Sequence, residues 1–328
     1  MQQQESGLVF GFLLDGDGGA RPLQRSELAG LQLQAQQKLW LHWDKDNLDT
    51  QDWLQHTSQV SELERQLLLA KGTRPRLLEH HDQTLLLFSR VLARNYSLEN
   101  SALLSLRVLV KDQLLLSFAH ADAYPDAELE QSFEQNTGPR TTTELLTAIL
   151  KTSAQDIDDL VEQLADFIDT QEESMVQDIR FRTNQKQMLQ LRRDSANLRR
   201  YLIPMRDLFS VLQRVQTEEF NRNIKAQLGE IHNNTIRSLE ELDLSRDRVG
   251  FILEAEKRQR EERSGRTIYL LTLITAFFLP LSFVTGLLGI NLGGIPGGES
   301  ELGFILACVG LGILAIVQLA LLRLLRWL

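Results

Sequence analysis

Two uncharged stretches near the C-terminus constrain this chain more than anything else in it. No Asp, Glu, Lys, Arg or His occurs from Thr267 to Gly298, or from Leu302 to Leu322. Each exceeds the roughly 20 residues a helix needs to cross about 30 Å of hydrocarbon. A buried core helix can be equally apolar, but two such runs in succession favour membrane spans, expected at 267–288 and 302–322. Lys257, Arg258, Arg260, Arg263 and Arg266 precede the first run and Arg323 and Arg326 follow the second, whereas the loop between them carries only Glu299 and Glu301. Basic flanks remain cytoplasmic, so both termini are expected in the cytoplasm and the 289–301 loop across the membrane. The start, MQQQESGLVF, lacks a basic segment followed by an apolar one, and the long N-terminal part is therefore expected to stay in the cytoplasm.

Composition narrows the function classes. A net charge of -9 disfavours wrapping nucleic acid and suits attraction of cations. The lone Cys308 excludes an intrachain disulfide and a Cys-x-x-Cys metal knuckle. No phosphate-cradling Gly-x-x-x-x-Gly-Lys-Ser/Thr loop, dinucleotide fingerprint or nucleophile elbow is present. Neither ATP-driven pumping nor an enzyme is indicated.

Residues 1–125 are expected to form an α/β cytoplasmic domain. GLVFGFLL, KLWLHW, TLLLFSRVL, LLSLRVLV and QLLLSFAH are strand-like runs, the last two joined at Lys111-Asp112 as a hairpin. Helix is expected near 58–71. Residues 126–266 are expected to form a helical cytoplasmic domain and stalk, with a capping box at Thr141–Glu144, apolar periodicity from Leu145 to Ile168, and a kink or helix junction at Pro204. From about 227 a long helix continues into the first span. Leu228, Thr235, Leu242 and Val249 repeat every seventh residue, with Leu239 and Leu253 in a second row that Arg246 interrupts; this seam offers itself to oligomeric helix packing.

On the first span, Thr272, Thr275, Leu279, Ser282 and Gly286 fall within about 80° of arc at 100° per residue. Small and hydroxyl-bearing side chains on one stripe serve either helix packing or a water-lined path. Gly303, Ala307 and Gly310 offer small contact surfaces on the second span, which is expected to pack outside the first. Between the spans lies GLLGINLGGIPGG, preceded by FFLPLSFVT. These residues resemble the signature of the CorA superfamily of divalent-cation transporters, in which a long cytoplasmic helix continues into the first span and ends at Gly-x-Asn, here Gly289, Ile290 and Asn291. The magnesium-channel form is Gly-Met-Asn preceded by tyrosine; this chain departs from it at Ile290 and Leu288 and is similar to the ZntB-type zinc transporter branch.

The resemblance implies a funnel-shaped homopentamer in the bacterial inner membrane, with a 323–328 cytoplasmic tail. It also implies Zn2+ as transported substrate rather than cofactor, with Cd2+, Ni2+ or Co2+ as further cargo, and no nucleic-acid partner. Gly289, Ile290 and Asn291 become the selectivity filter, and Thr272, Thr275, Leu279, Ser282 and Gly286 the pore lining. An amide oxygen holds a hydrated divalent ion without the trapping a carboxylate ring would cause, and flux requires release. Glycines let the backbone turn and its carbonyls approach the axis. Glu299 and Glu301 are expected to concentrate cations at the periplasmic mouth. The alternatives are a magnesium/cobalt channel of the CorA type, or a membrane-anchored metal-sensing scaffold that transports nothing.

Other acidic and histidine clusters carry weaker signals. Glu79, His80, His81 and Asp82, and His42 with Asp44, Asp46, Asp49 and Asp52, are expected to be exposed charged loops rather than zinc sites, and His120 and His232 to be structural. Asp156 and Asp159 sit in the acidic start of an amphipathic helix, where a solvated face is the ordinary account. By analogy with the superfamily's magnesium members they are candidate cytoplasmic metal ligands.

Overall fold

The first third of the chain is rich in long apolar runs, and the structure shows why they do not alternate. Seven strands form one mixed sheet: β1 (Leu8–Leu14), β2 (Ala20–Leu23), β3 (Lys38–Asp44), β4 (Arg76–Glu79), β5 (Leu85–Leu92), β6 (Leu103–Lys111) and β7 (Leu114–Ala119). Their order is β2-β1-β3-β7-β6-β5-β4, and every pairing is antiparallel except β3 with β7. The computed structural model describes residues 7–57, 59–70, 72, 74–79, 84–93, 96–98, 103–121, 123, 127–177, 184–217, 219–289 and 302–325, except the side chain at 176. It divides into two compact units, 1–253 and 254–328.

Both faces of the sheet are covered, so a central strand such as β7 (LLLSFA) is buried at every residue. On one face Trp40, Leu87, Val108 and Leu115 pack with the long helices that follow. On the other, Leu41, Trp43, Phe88 and Leu116 pack with Leu54 of α1 (Leu48–His56) and Leu68 of α2 (Glu62–Leu69). Trp43 stacks on Trp53 with ring centroids 4.3 Å apart. Ser61 and Glu64 cap α2 reciprocally, each side chain accepting from the other's backbone N–H at 3.3 and 2.7 Å. Its far end is closed by Arg107 of β6, which donates to the Leu68 and Ala70 carbonyls. The β6–β7 turn is Asp112-Gln113, because Lys111 pairs with Leu114; the expected break lies one residue too early.

The helical part comprises α3 (Ala127–Glu134), α4 (Thr142–Gln177), α5 (Gln185–Leu212) and α6 (Arg222–Leu288). Thr141 caps α4 by accepting from the Glu144 N–H at 3.1 Å. The Glu144 carboxylate reaches the Arg140 N–H at 2.8 Å instead of the cap's own, so the box is offset by one residue. Pro204 lies inside α5 rather than at a junction.

The seven-residue seam of α6 packs within the chain. Leu228, Thr235, Leu239, Leu242 and Val249 are buried in a single chain. Leu228, Leu239 and Leu242 share a core with Leu160 of α4 and with Leu198 and Leu202 of α5. Further along, Val249 and Ile252 pack with Leu164, Ile168, Met188 and Leu191. Polar ties reinforce this: the Ser238 hydroxyl donates to Asp158 at 2.6 Å, Arg199 pairs with Asp243 at 2.8 Å, and Arg248 grips Glu172 through two bonds (3.0 and 2.6 Å) and Asp169 through a third. Those carboxylates raise the Arg248 pKa against the effect of burial.

The second unit holds the rest of α6 and α7 (Gly303–Leu324). Its basic segment is bound along the helix by Glu254–Arg258 at 2.6 Å and Glu256–Arg260 at 2.7 Å, both at four-residue spacing. Among the described residues, α6 and α7 contain segments long and apolar enough to cross a membrane. Pro280 falls within continuous α6, where its missing N–H leaves the Ala276 carbonyl without its helical donor.

Candidate functional site

The apolar end of α6 has two distinct faces. Between Leu271 and Leu288 the only half-buried residues are Leu273, Phe277, Pro280, Leu281 and Val284, which form one stripe at helical spacing. On α7, Gly303, Ala307, Leu311, Leu314, Ala315 and Gln318 are half-buried and Leu322 is buried. These seven also lie on one stripe, whereas Gly310 is exposed and outside it. Thr272, Thr275, Leu279, Ser282 and Gly286 are all exposed, on the side of α6 roughly 160° from its half-buried stripe.

The hydroxyls on that exposed side have defined orientations. Thr272 donates to the Ile268 carbonyl at 2.9 Å and Thr275 to the Leu271 carbonyl at 2.8 Å. Such back-bonding to the residue four positions earlier consumes the hydroxyl hydrogen. What remains outward is oxygen lone pairs, the half of a hydroxyl that a cation uses.

At the end of α6 the Gly289 N–H donates to the Thr285 carbonyl at 3.0 Å and to the Gly286 carbonyl at 3.2 Å. Gly289 is not among the glycines of positive φ, so a special backbone conformation does not require glycine there. A Cβ would instead meet the Thr285 carbonyl oxygen at 3.3 Å. Ile290, Asn291, Glu299 and Glu301 lie outside the described residues, as do His80, His81 and Asp82.

In the first unit the structure overturns the exposed-loop expectation: Asp49 and Asp52 lie on α1, and His42 is not in a loop at all. It lies on β3 and is 1% exposed. Burial holds its pKa down at about 3, opposed by the Ala123 backbone. Alternation along KLWLHWD turns Trp40 and His42 to the same face, a signal already present in the sequence. Asp44 and Asp46 sit at the strand's end, away from it. His232 is structural, its Nδ1 3.0 Å from the Arg206 carbonyl.

Asp156 of α4 is half-buried and lines the same cavity as His42, whereas Asp159 is exposed and does not line it. Tyr96 lies near both: burial raises its pKa first, and the two carboxylates add to the shift. No group of three or more His, Cys, Asp or Glu side chains arranged to hold a metal occurs among the described residues.

Comparison with known proteins identifies the lineage. Residues 35–324 match the family model described as CorA-like Mg2+ transporter protein. The chain is 41% identical to the divalent cation transporter CmaX of Pseudomonas aeruginosa over 99% of its own length and 98% of the relative's. It is 31% identical to the zinc transport protein ZntB of Yersinia enterocolitica, over 95% and 94% respectively. The solved full-length CmaX structure superposes with a TM-score of 0.86 at 40% identity, with complete coverage of both chains.

Proposed function

The chain is a divalent-cation transporter of the CorA-like family and not an enzyme, and from that premise we propose that it carries Zn2+ along a homopentameric axis. The first span, 267–288, contributes the pore lining and the second, 302–322, packs outside it. The observation that carries the pathway is the exposed stripe from Thr272 to Gly286 facing away from the face half-covered in the single chain. A helix half-buried on one side and offering outward hydroxyl lone pairs on the other suits a helix whose second face borders a conduit. Leu279 is the hydrophobic constriction on that stripe. Gly289, Ile290 and Asn291 form the filter, and Glu299 and Glu301 raise cation concentration at its mouth.

Zinc as cargo rests on the similarity to ZntB along nearly the whole chain and on Gly-Ile-Asn in place of Gly-Met-Asn. A magnesium or cobalt cargo is the second reading, favoured by the family model's description. Flux of 65Zn2+ and of Mg2+ into proteoliposomes, with metal, voltage and pH gradients imposed separately, decides between them. Zn2+ flux is expected to exceed Mg2+ flux at equal concentration, from a particle that native mass spectrometry weighs as five copies. Mg2+ flux exceeding Zn2+ flux would reassign the cargo.

Orientation has its own test. In a Cys308→Ser background, a Gly293→Cys variant is expected to react with an impermeant thiol reagent from outside the inner membrane. Gly265→Cys is expected to react only from the cytoplasm. Labelling of both from one side would refute the two-span arrangement.

A further inference from the structure

The outward faces of α4 and α5, both in the first unit, carry opposite charges at matching intervals. Along α4, Asp159, Glu162, Asp166, Asp169 and Glu173 recur at three- and four-residue steps, and all are exposed. At 100° per residue they lie roughly 150° from the core residues Ile157, Val161, Leu164 and Ile168. Along α5, Lys186, Arg193 and Arg200 recur at seven-residue steps and are exposed as well. They lie roughly 160° from the core residues Leu191, Leu198 and Leu202.

An ordinary solvated helix face neutralises itself, as α6 does where Glu254 meets Arg258 and Glu256 meets Arg260 at four-residue spacing. Neither of these faces does so. After Lys151, α4 contains no Lys or Arg, and its exposed carboxylates have like charges three and four residues away, an arrangement that destabilises a helix. On α5 the positions three and four residues from Arg193 and Arg200 are Leu189, Gln190, Ala196, Asn197, Ile203 and Pro204, none of them acidic. Other elements of the chain take up only part of the charge: Arg248 holds Asp169, and Asp243 holds Arg199. Asp159, Asp166, Glu173, Lys186, Arg193 and Arg200 make no ion pair among the described residues.

The core sets the relative height of the two rows. Ile168 shares a cluster with Leu191, and Ile157 and Val161 share another with Leu198 and Leu202, so α4 and α5 run in opposite directions. With Ile168 level with Leu191, equal steps along the two helices bring Val161 level with Leu198 and Ile157 level with Leu202. The same steps place Asp159 level with Arg200, Asp166 with Arg193, and Glu173 with Lys186. Each row is about 21 Å long at ~1.5 Å per residue. Copies related by rotation alone have no rise between neighbours. Level residues of adjoining chains are therefore the ones that meet.

We propose that the carboxylate face of α4 docks on the cationic face of α5 in an adjoining copy, pairing Asp159 with Arg200, Asp166 with Arg193 and Glu173 with Lys186. The inference rests on the oligomeric ring put forward above and is independent of the cargo. A second copy is the occupant because spacing, length and sign match within this one sequence, whereas a net charge of -9 repels a polyanion approaching α5. Each chain offers a negative face and a positive one, the head-to-tail arrangement that closes a ring.

The test uses full-length protein in detergent carrying Cys308→Ser. A chain with both Asp166→Cys and Arg193→Cys, which replace exposed side chains and spare the core, is treated with a short bifunctional thiol reagent and resolved under denaturing conditions. Products of two to five linked chains are expected, and neither cysteine alone should give them. Native mass spectrometry before the reagent is added separates this interface from the ring itself. Five copies that yield no interchain product would overturn the interface and leave the ring; single copies would overturn both. Charge supplies a second arm. Arg193→Glu combined with Arg200→Glu sets carboxylate against carboxylate and should lower the temperature at which the ring dissociates by several degrees. Adding Asp159→Arg and Asp166→Arg should restore it. Wild type should lose a similar margin in 1 M salt, where the Debye length is about 3 Å. No loss on reversal, or a loss that the α4 reversals fail to restore, would leave α5 facing solvent or a different partner and overturn the proposal.

Discussion

Asn291→Ala is expected to reduce divalent-cation flux at least about tenfold while leaving assembly and the yield of folded protein unchanged. A hydrogen bond or dipolar contact to a charged group is worth about 1.5–3 kcal/mol. Removing even one such contact at the barrier therefore corresponds to roughly tenfold or more in rate. In a pentamer the substitution deletes every copy of the amide at once. Asn291→Asp separates ligation from loop structure: it keeps the size but adds charge, and should bind the ion more tightly while still passing it slowly. Initial 65Zn2+ flux and Zn2+ affinity, measured on the same proteoliposomes, check both expectations. Undiminished flux through a well-folded Asn291→Ala protein would remove this residue from the mechanism.

Arg107→Ala is expected to produce the largest loss of stability of any single truncation of a charged side chain in the first unit, about 2–4 kcal/mol. The residue is 6% exposed, and burial pushes its pKa down, opposed by Asp46. It persists because the guanidinium satisfies the Leu68 and Ala70 carbonyls at the end of α2, which have no further turn of helix to pair with. Truncation leaves those acceptors without their partner and opens space against Phe88 and Leu109, which lie on the same sheet face. Arg107→Lys retains charge but not the forked donor geometry, and should recover about half of the loss. Thermal unfolding of the full chain in detergent should show a drop of roughly 5–15 °C for Arg107→Ala. A shift within a degree of wild type would mean that the two carbonyls find other donors at little cost.

What the sequence discloses depends on whether a feature is local. KLWLHW and QLLLSFAH are legible as strands because both faces of the sheet are covered and apolar residues run continuously. The edge strands β2 (ARPL) and β4 (RLLE) are four residues each, one containing Pro22, and such short edges carry little pattern. Helix α1 hides within an acidic segment, since only Thr50 and Leu54 of its residues are buried. The α6 seam has the spacing expected between copies, but spacing alone does not say which chain supplies the opposing residues; α4 and α5 do. His42 is the plainest case. Its place beside Trp40 is readable from alternation, but its position across a cavity from Asp156 depends on how β3 and α4 pack. That Thr272, Thr275, Leu279, Ser282 and Gly286 share one side is legible from helical spacing, because every member sits on one helix.

The parallel pairing of β3 with β7 also fixes an order of events during synthesis. A parallel pair needs a long crossover, so the centre of the sheet stays open until β7 has left the ribosome. At that moment β1, β2 and β3 form one antiparallel piece, and β4 to β7 form another. Their joining leaves one sheet face still lacking the cover that Leu145 to Leu242 will provide. All of that cover precedes Thr267. At about 5–20 residues per second, translation allows seconds between closure of the sheet and the first membrane-seeking residue. The part of the chain that precedes the candidate spans can therefore fold before they are made.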